Sequence, residues 1–94
     1  MTDFSSNAVE SYTLYQYETC PFCSVVRQFL MAVDFQMPMK DIHKDRDAFL
    51  ELIQGGGNQT VPCLRIEKTD GVTWMYESRD IIDYLSERMG VPGD

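Results

Sequence analysis

Along this chain the apolar residues alternate between two rhythms, one of consecutive or every-second positions and one of every third or fourth, which predict alternating strands and helices. Tyr12 to Tyr17 is a run of aromatic and β-branched residues suited to a pleated strand, central in its sheet and buried on both faces. From Cys23 onward Val25, Val26, Phe29, Leu30 and Val33 recur at helical spacing, with Arg27, Gln28 and Asp34 facing elsewhere. Phe35 to Ile42 reads as a second strand, confined to an edge or a strand start by Pro38, which has no N–H to donate. Asp45 to Gln54 predicts a short amphipathic helix with acidic residues in its first turn. The run Gly55-Gly56-Gly57-Asn58 should stop it as a plain turn, because it lacks the Lys-Ser/Thr of a phosphate-binding loop. Gln59 to Glu67 gives a third strand that opens around Pro62, Asp70-Gly71 a hairpin turn, and Val72 to Tyr76 the return strand. Alternation puts Leu64 and Ile66 on one face and Cys63, Arg65 and Glu67 on the other. The last helix carries Ile81, Ile82, Leu85 and Met89, with Ser78 as its expected cap and Gly90 with Pro92 as its stop.

The predicted order is therefore β-α-β-α-β-β-α, in one domain. Residues 1–11 are polar and without periodicity, so a flexible tail is expected there and the folded domain over 12–94. A chain of 94 residues supports a modest core, burying roughly 65% of the surface its unfolded form exposes. With 44% hydrophobic residues, disorder is not the default, and no apolar run approaches the length of a membrane span. The N-terminal stretch lacks the basic cluster and apolar core of a secretory signal, so a cytoplasmic protein is expected. Three cysteines, an odd number, suit a reducing compartment better than a fully paired secreted framework. A formal charge of −7 without a basic stripe argues against nucleic-acid binding.

The chemistry concentrates in Tyr17-Glu18-Thr19-Cys20-Pro21-Phe22-Cys23, at the junction of the first strand and the first helix. A thiol is a nucleophile and a metal ligand only as thiolate, and a helix N-terminus offers partial positive charge and free N–H groups that favour the anion. Cys20 falls at the expected cap. Pro21 suits the first helical position, and Cys23 lies one turn on, within disulfide reach. Zinc binding and simple packing are the other readings of such a pair. Zinc would need four ligands, whereas outside the pair there are only Cys63, His43 and scattered carboxylates, with no second Cys-x-x-Cys. No metal is therefore expected, and a redox dithiol is. Cys63 reads as a packing residue in preference to a regulatory thiol, and His43 as a loop residue without a catalytic role. Tyr17 suits either a hydrogen bond to a ligand or the filling of space beside the dithiol.

Three features in this order carry a family resemblance: Cys20-Pro21-Phe22-Cys23 after the first strand, Thr60-Val61-Pro62 at the start of the third, and Glu77-Ser78 opening the last helix. On them, residues 12 to 89 resemble the glutaredoxins of the thioredoxin-fold superfamily. The resemblance implies an α/β, thioredoxin-like fold with a four-stranded mixed sheet flanked by three helices. It implies Cys20 as nucleophile, Cys23 as resolving thiol, and Pro62 in the cis form, bringing backbone against the dithiol. Val61 would present its N–H and C=O to the cysteinyl part of glutathione, and Glu77 with Ser78 would hold the γ-glutamyl end. Two departures bring the chain nearer to glutathione-transferase N-terminal domains. Tyr17 stands where many glutaredoxins have lysine, and the last helix opens as Tyr76-Glu77-Ser78-Arg79-Asp80, without a Gly-Gly turn. Gln59 is then the candidate holder of the glycine carboxylate, with Lys44 or Arg46 as further options. Proteins of that kind carry a following all-helical domain, which is not expected here because the sequence ends at Asp94.

The implied activity is glutathione-dependent reduction of glutathione mixed disulfides and protein disulfides through the Cys20/Cys23 dithiol. Glutathione is co-substrate, no tightly bound cofactor is expected, and the partners are glutathionylated or disulfide-containing proteins acting on a monomer. In a thiol acidified by its surroundings, lower intrinsic nucleophilicity offsets most of the gain in thiolate, so the larger benefit is as a leaving group. That places deglutathionylation ahead of general protein-disulfide reduction. Two other functions fit the same residues. One is a [2Fe–2S] carrier in which Cys20 of two subunits and two glutathiones ligate the cluster, and the other is a transferase-like glutathione-binding module without redox turnover.

Overall fold

Strand β1 (Ser11–Gln16) is the spine of the sheet: it pairs in parallel with β2 (Met39–Asp41) and antiparallel with β3 (Cys63–Lys68). β4 (Gly71–Tyr76) adds antiparallel to β3, so the order is β2-β1-β3-β4, the four-stranded mixed sheet of a thioredoxin-like α/β fold. The structure, a computed structural model, describes residues 10–90. Most of the expected tail, and Pro92, lie outside that range. β1 begins one residue before the expected domain boundary, with Ser11 opposite Glu67.

Helices α1 (Pro21–Ala32) and α3 (Ser78–Met89) cover one face of the sheet and the short α2 (Arg46–Glu51) the other. The alternation read from β3 holds. Leu14, Leu64 and Ile66 join Val26 and Leu30 of α1 and Ile81, Ile82 and Leu85 of α3 in the larger core. Tyr15 and Cys63 face the other way, against Ile42, Ala48 and Leu52. Val25, expected in the apolar stripe of α1, instead turns outward with Phe22; both are exposed.

β3 starts at Cys63 and not at Gln59, and the hairpin turn is Thr69-Asp70, with Gly71 already paired to Lys68 in β4. Three further elements differ from their sequence expectations. β2 is only three residues, although the Pro38 carbonyl still accepts from Leu14 N–H at 3.0 Å, so the missing donor shortens the strand without breaking its approach to β1. The second helix does not stop at the glycine run. It passes into a π-helical turn (Leu52–Gly56) and ends at Gly57, in the left-handed region at φ 85°. A Cβ on Gly55 would stand 2.2 Å from the Trp74 ring and one on Gly56 would meet the Tyr76 hydroxyl, so these glycines let the turn press against β4. The cap of α3 is Glu77, not Ser78, which is the first helical residue.

Glu10 also departs from the expected tail, because its carboxylate is nearly inaccessible. It accepts hydrogen bonds from Tyr12 (2.6 Å), Tyr84 (3.0 Å) and Arg88 (2.7 Å), with Lys68 at 3.9 Å, and so ties the start of β1 to α3. Burial alone would raise its pKa, but the two phenols, Arg88 and Lys68 outweigh it and hold the carboxyl below its ordinary range. Glu10→Gln is expected to cost about 2 kcal/mol by weakening these bonds, seen as a fall in Tm of roughly 10 °C for a domain of this size. An unchanged Tm would show the cluster to be energetically idle.

Candidate functional site

The loop Tyr17-Glu18-Thr19 carries the chain from the end of β1 to the start of α1. Cys20 is the N-cap of α1, as its position before Pro21 predicts, with extended backbone at φ −76° and ψ 121°. Its Sγ accepts the N–H of Cys23 at 3.3 Å, so one of the helix's unpaired first-turn donors points at the sulfur. Across the site, Cys20 Sγ lies 3.9 Å from the Val61 carbonyl oxygen, and the Val61–Pro62 peptide bond is cis. Cys20 is buried with a small accessible edge, and Cys23 is wholly buried behind it. Burial first, and then the contact with Cys20, pushes the Cys23 thiol up to about 12, against smaller opposing effects from Tyr17 and Arg27. All three cysteines are free. Cys63, directly after Pro62, is wholly buried on the other sheet face, and burial pushes its thiol to about 12 although a hydrogen bond with Tyr76 opposes the rise. Such a thiol packs and does not react at neutral pH.

Two clefts meet at Thr60-Val61. One, of about 280 Å³, is lined by Phe22, Pro62, Glu77, Ser78 and Arg79 together with that ridge. The other, of about 380 Å³, is lined by Tyr17, Ile42, His43, Phe49 and Gln59. The residues singled out in the sequence thus gather around Val61: the dithiol with Pro21 and Pro62 at the centre, Glu77 and Ser78 on one side, Tyr17 and Gln59 on the other. Lys44 and Arg46 line neither cleft, and Lys44 pairs with Glu18 at 3.6 Å. Glu77 holds a left-handed φ of 76°, costly for a residue with a Cβ, and makes no side-chain cap. The first turn of α3 therefore lacks a capping side chain where it borders the cleft.

The contacts of two residues were not legible in the sequence. Arg27, one and a half turns into α1, donates to the Gln16 side chain, to the Glu18 carbonyl at 3.0 Å and to the Tyr17 carbonyl at 3.4 Å, and so holds the loop before Cys20. His43 stacks on Tyr17 with ring centroids 4.0 Å apart and planes 16° from parallel. Neither has a motif, since each contact depends on a loop folding back over it.

A family model described as the glutathione S-transferase N-terminal domain matches residues 14–93. The chain belongs to that family. Mouse prostaglandin E synthase 2 is 35% identical over 80 residues, 85% of this chain but 20% of that protein, so this member spans about a fifth of that relative's length. Among solved structures, maleylacetoacetate isomerase from Anaeromyxobacter dehalogenans superposes with a TM-score of 0.59 at 21% identity, over 88% of this chain and 36% of that one. Its structure holds a bound dicarboxyethyl glutathione. Glutaredoxin from Brucella melitensis matches at a TM-score of 0.53 and 16% identity, over 85% of this chain and 80% of that one. A thioredoxin-like protein reaches 0.62 at 23% identity, over 82% of this chain and 97% of that one. At these identities the likeness establishes the fold, a thioredoxin fold of glutaredoxin and transferase type. Among the described residues no helix is long and apolar enough to cross a membrane.

Proposed function

We propose that this protein is a glutathione-dependent thiol–disulfide oxidoreductase acting through Cys20 and Cys23. The observation that carries the reading is the position of Cys20 Sγ, at the cap of α1 with the Cys23 N–H on it, an accessible edge, and a second thiol buried behind it. A transferase-type site needs only one activated group, whereas the buried partner thiol supplies a resolving step.

In the proposed cycle Cys20 thiolate attacks the glutathione sulfur of a glutathionylated protein. The Cys20–glutathione disulfide forms, and the protein sulfur leaves as thiolate and takes a proton. A second glutathione thiolate then attacks the glutathione sulfur bound to Cys20, releasing oxidised glutathione and restoring Cys20. With a protein disulfide, Cys20 thiolate attacks one sulfur and the other leaves as thiolate. Cys23, on losing its proton, then attacks Cys20 Sγ, freeing the sulfur bound there and forming a Cys20–Cys23 disulfide that two glutathiones reduce, leaving as oxidised glutathione. Val61 backbone groups would pair with the cysteinyl part of glutathione. Ser78 and the first turn of α3 would receive the γ-glutamyl carboxylate, as helix N-termini do for anions, and Gln59 the glycyl end. No tightly bound cofactor enters these steps, and a cytoplasmic monomer suits this chemistry.

The direct test is reduction of hydroxyethyl disulfide by the unaltered protein with glutathione, glutathione reductase and NADPH. Absence of turnover would overturn the proposal. In that event the family match and Glu77-Ser78 favour a second reading, a glutathione-binding module without redox turnover, shown by glutathione binding that survives Cys20→Ser. Arg27→Gln is expected to lower turnover by about tenfold by loosening the loop before Cys20, with faster amide exchange at Thr19 and Cys20. Unaltered exchange and rate would remove Arg27 from the machinery.

A further inference from the structure

The sheet face under α2 is only partly covered. Beside the π-helical turn lies an open cleft of about 520 Å³, floored by the half-buried Trp74 with the buried Tyr15 beneath it, and bordered by Lys40, Glu51, Gly55 and Arg65. None of these residues lines either cleft at Val61. The volume falls in the range of small-molecule sites.

Its lining is chemically specific. The Tyr15 and Trp74 rings lie 5.4 Å apart at 47°, with the Arg65 guanidinium 5.7 Å from the Trp74 centroid and the Lys40 ammonium 5.8 Å from that of Tyr15. Two cations, Lys40 and Arg65, line the cleft with one carboxylate, Glu51, and a second carboxylate, Glu67, pairs with Arg65 from outside it. Glu51 is already engaged, accepting from the Tyr15 hydroxyl at 2.8 Å and from Lys40 at 2.9 Å. Arg65 reaches Glu67 through one nitrogen at 3.0 Å, which leaves most of its five N–H donors without a side-chain partner. The indole is held in place by backbone, because Gly55 packs where any Cβ would strike it at 2.2 Å. The floor is therefore formed before any ligand arrives.

We infer that this cleft binds a small planar aromatic carboxylate, with its ring against Trp74 and its carboxylate on Arg65 and Lys40. A ring alone would leave the cations unused, and an inorganic anion would leave the aromatic floor uncovered. Arginine suits the role because its planar fork both stacks on rings and pairs with carboxylates.

Trp74 is the sole tryptophan, so its indole N–H gives a single nuclear magnetic resonance signal. Titration of the full chain with 2-naphthoate should shift that signal and the Gly55 amide saturably while Val61 and Ser78 stay in place. Arg65→Gln should weaken binding roughly tenfold or more, and 2-naphthamide, the same ring without charge, should bind the unaltered protein as weakly. No saturable shift at millimolar 2-naphthoate, shifts centred on Val61 and Ser78, or equal binding of the amide and the carboxylate would each overturn the inference. The amide comparison needs no variant, so a folding defect in Arg65→Gln leaves the test intact.

Discussion

Replacing Cys20 with serine is expected to lower glutathione-coupled reduction of hydroxyethyl disulfide by about a thousandfold or more, while Cys23→Ser keeps that turnover within about threefold. A serine hydroxyl at the cap of α1 still accepts the residue 23 N–H, so the fold has little reason to change. It is not ionised at neutral pH and forms no disulfide, so the nucleophile is gone. Cys23 cannot substitute, because it is wholly buried and its thiol is pushed up to about 12. In the glutathione cycle Cys23 has no step. In protein-disulfide reduction it has the resolving step, so Cys23→Ser should lose that activity while keeping the other. Full protein-disulfide activity in Cys23→Ser would contradict the assignment of Cys23, and residual turnover of Cys20→Ser near that of the unaltered protein would contradict the assignment of Cys20.

The second large effect is on stability at alkaline pH. The thiols of Cys23 and Cys63 both titrate near 12 in the folded protein because burial disfavours their charged forms. Once the pH passes the ordinary thiol value of about 8.5, the unfolded chain releases protons that the folded chain keeps, so unfolding becomes easier as pH rises. Each group contributes about 1.4 kcal/mol per pH unit across that window, and by pH 10.5 the two together remove roughly 5 kcal/mol. That is comparable to the whole stability of a domain of this size. Tyr12 and Tyr15, raised by burial and by their hydrogen bonds to Glu10 and Glu51, act in the same direction at higher pH. Urea unfolding under reductant at pH 8 and pH 10.5 should show the loss, and Cys63→Ala should show about half the slope. A stability that stays flat over this interval would mean the buried thiols ionise without unfolding.

What could be read from the sequence follows from how local each feature is. Cys20-Pro21 marked the start of α1 because a cap and a first-turn proline act within a few residues. The alternation of Cys63, Leu64, Arg65 and Ile66 sorted the two cores because strand period needs no partner. The π-helical turn was not legible. Gly55 and Gly56 break helices in isolation, and what carries the backbone through them is contact with Trp74 and Tyr76, about twenty residues on. Val25 was misplaced because helical spacing defines a stripe but not which edge of it the sheet covers. Arg27 looked like a solvent-facing residue, since its three acceptors lie at the end of β1 and in the loop after it, whose path sequence does not specify. Glu10 looked like part of a polar tail for the same reason: its partners Tyr84 and Arg88 lie more than seventy residues away.

The sheet order also has a bearing on solubility. Among the described residues β4 pairs only with β3, so its other side presents a row of backbone donors and acceptors six residues long. Gly71 to Tyr76 contains no charged side chain, and Val72 is exposed. Natural sheets commonly blunt such an edge with lysine, proline or a bulge. Here the deterrent is diffuse, the mutual repulsion of molecules that each carry a charge of −7. Acidification to the isoelectric point, near pH 4.5, cancels that charge and would leave this edge open to strand pairing between molecules.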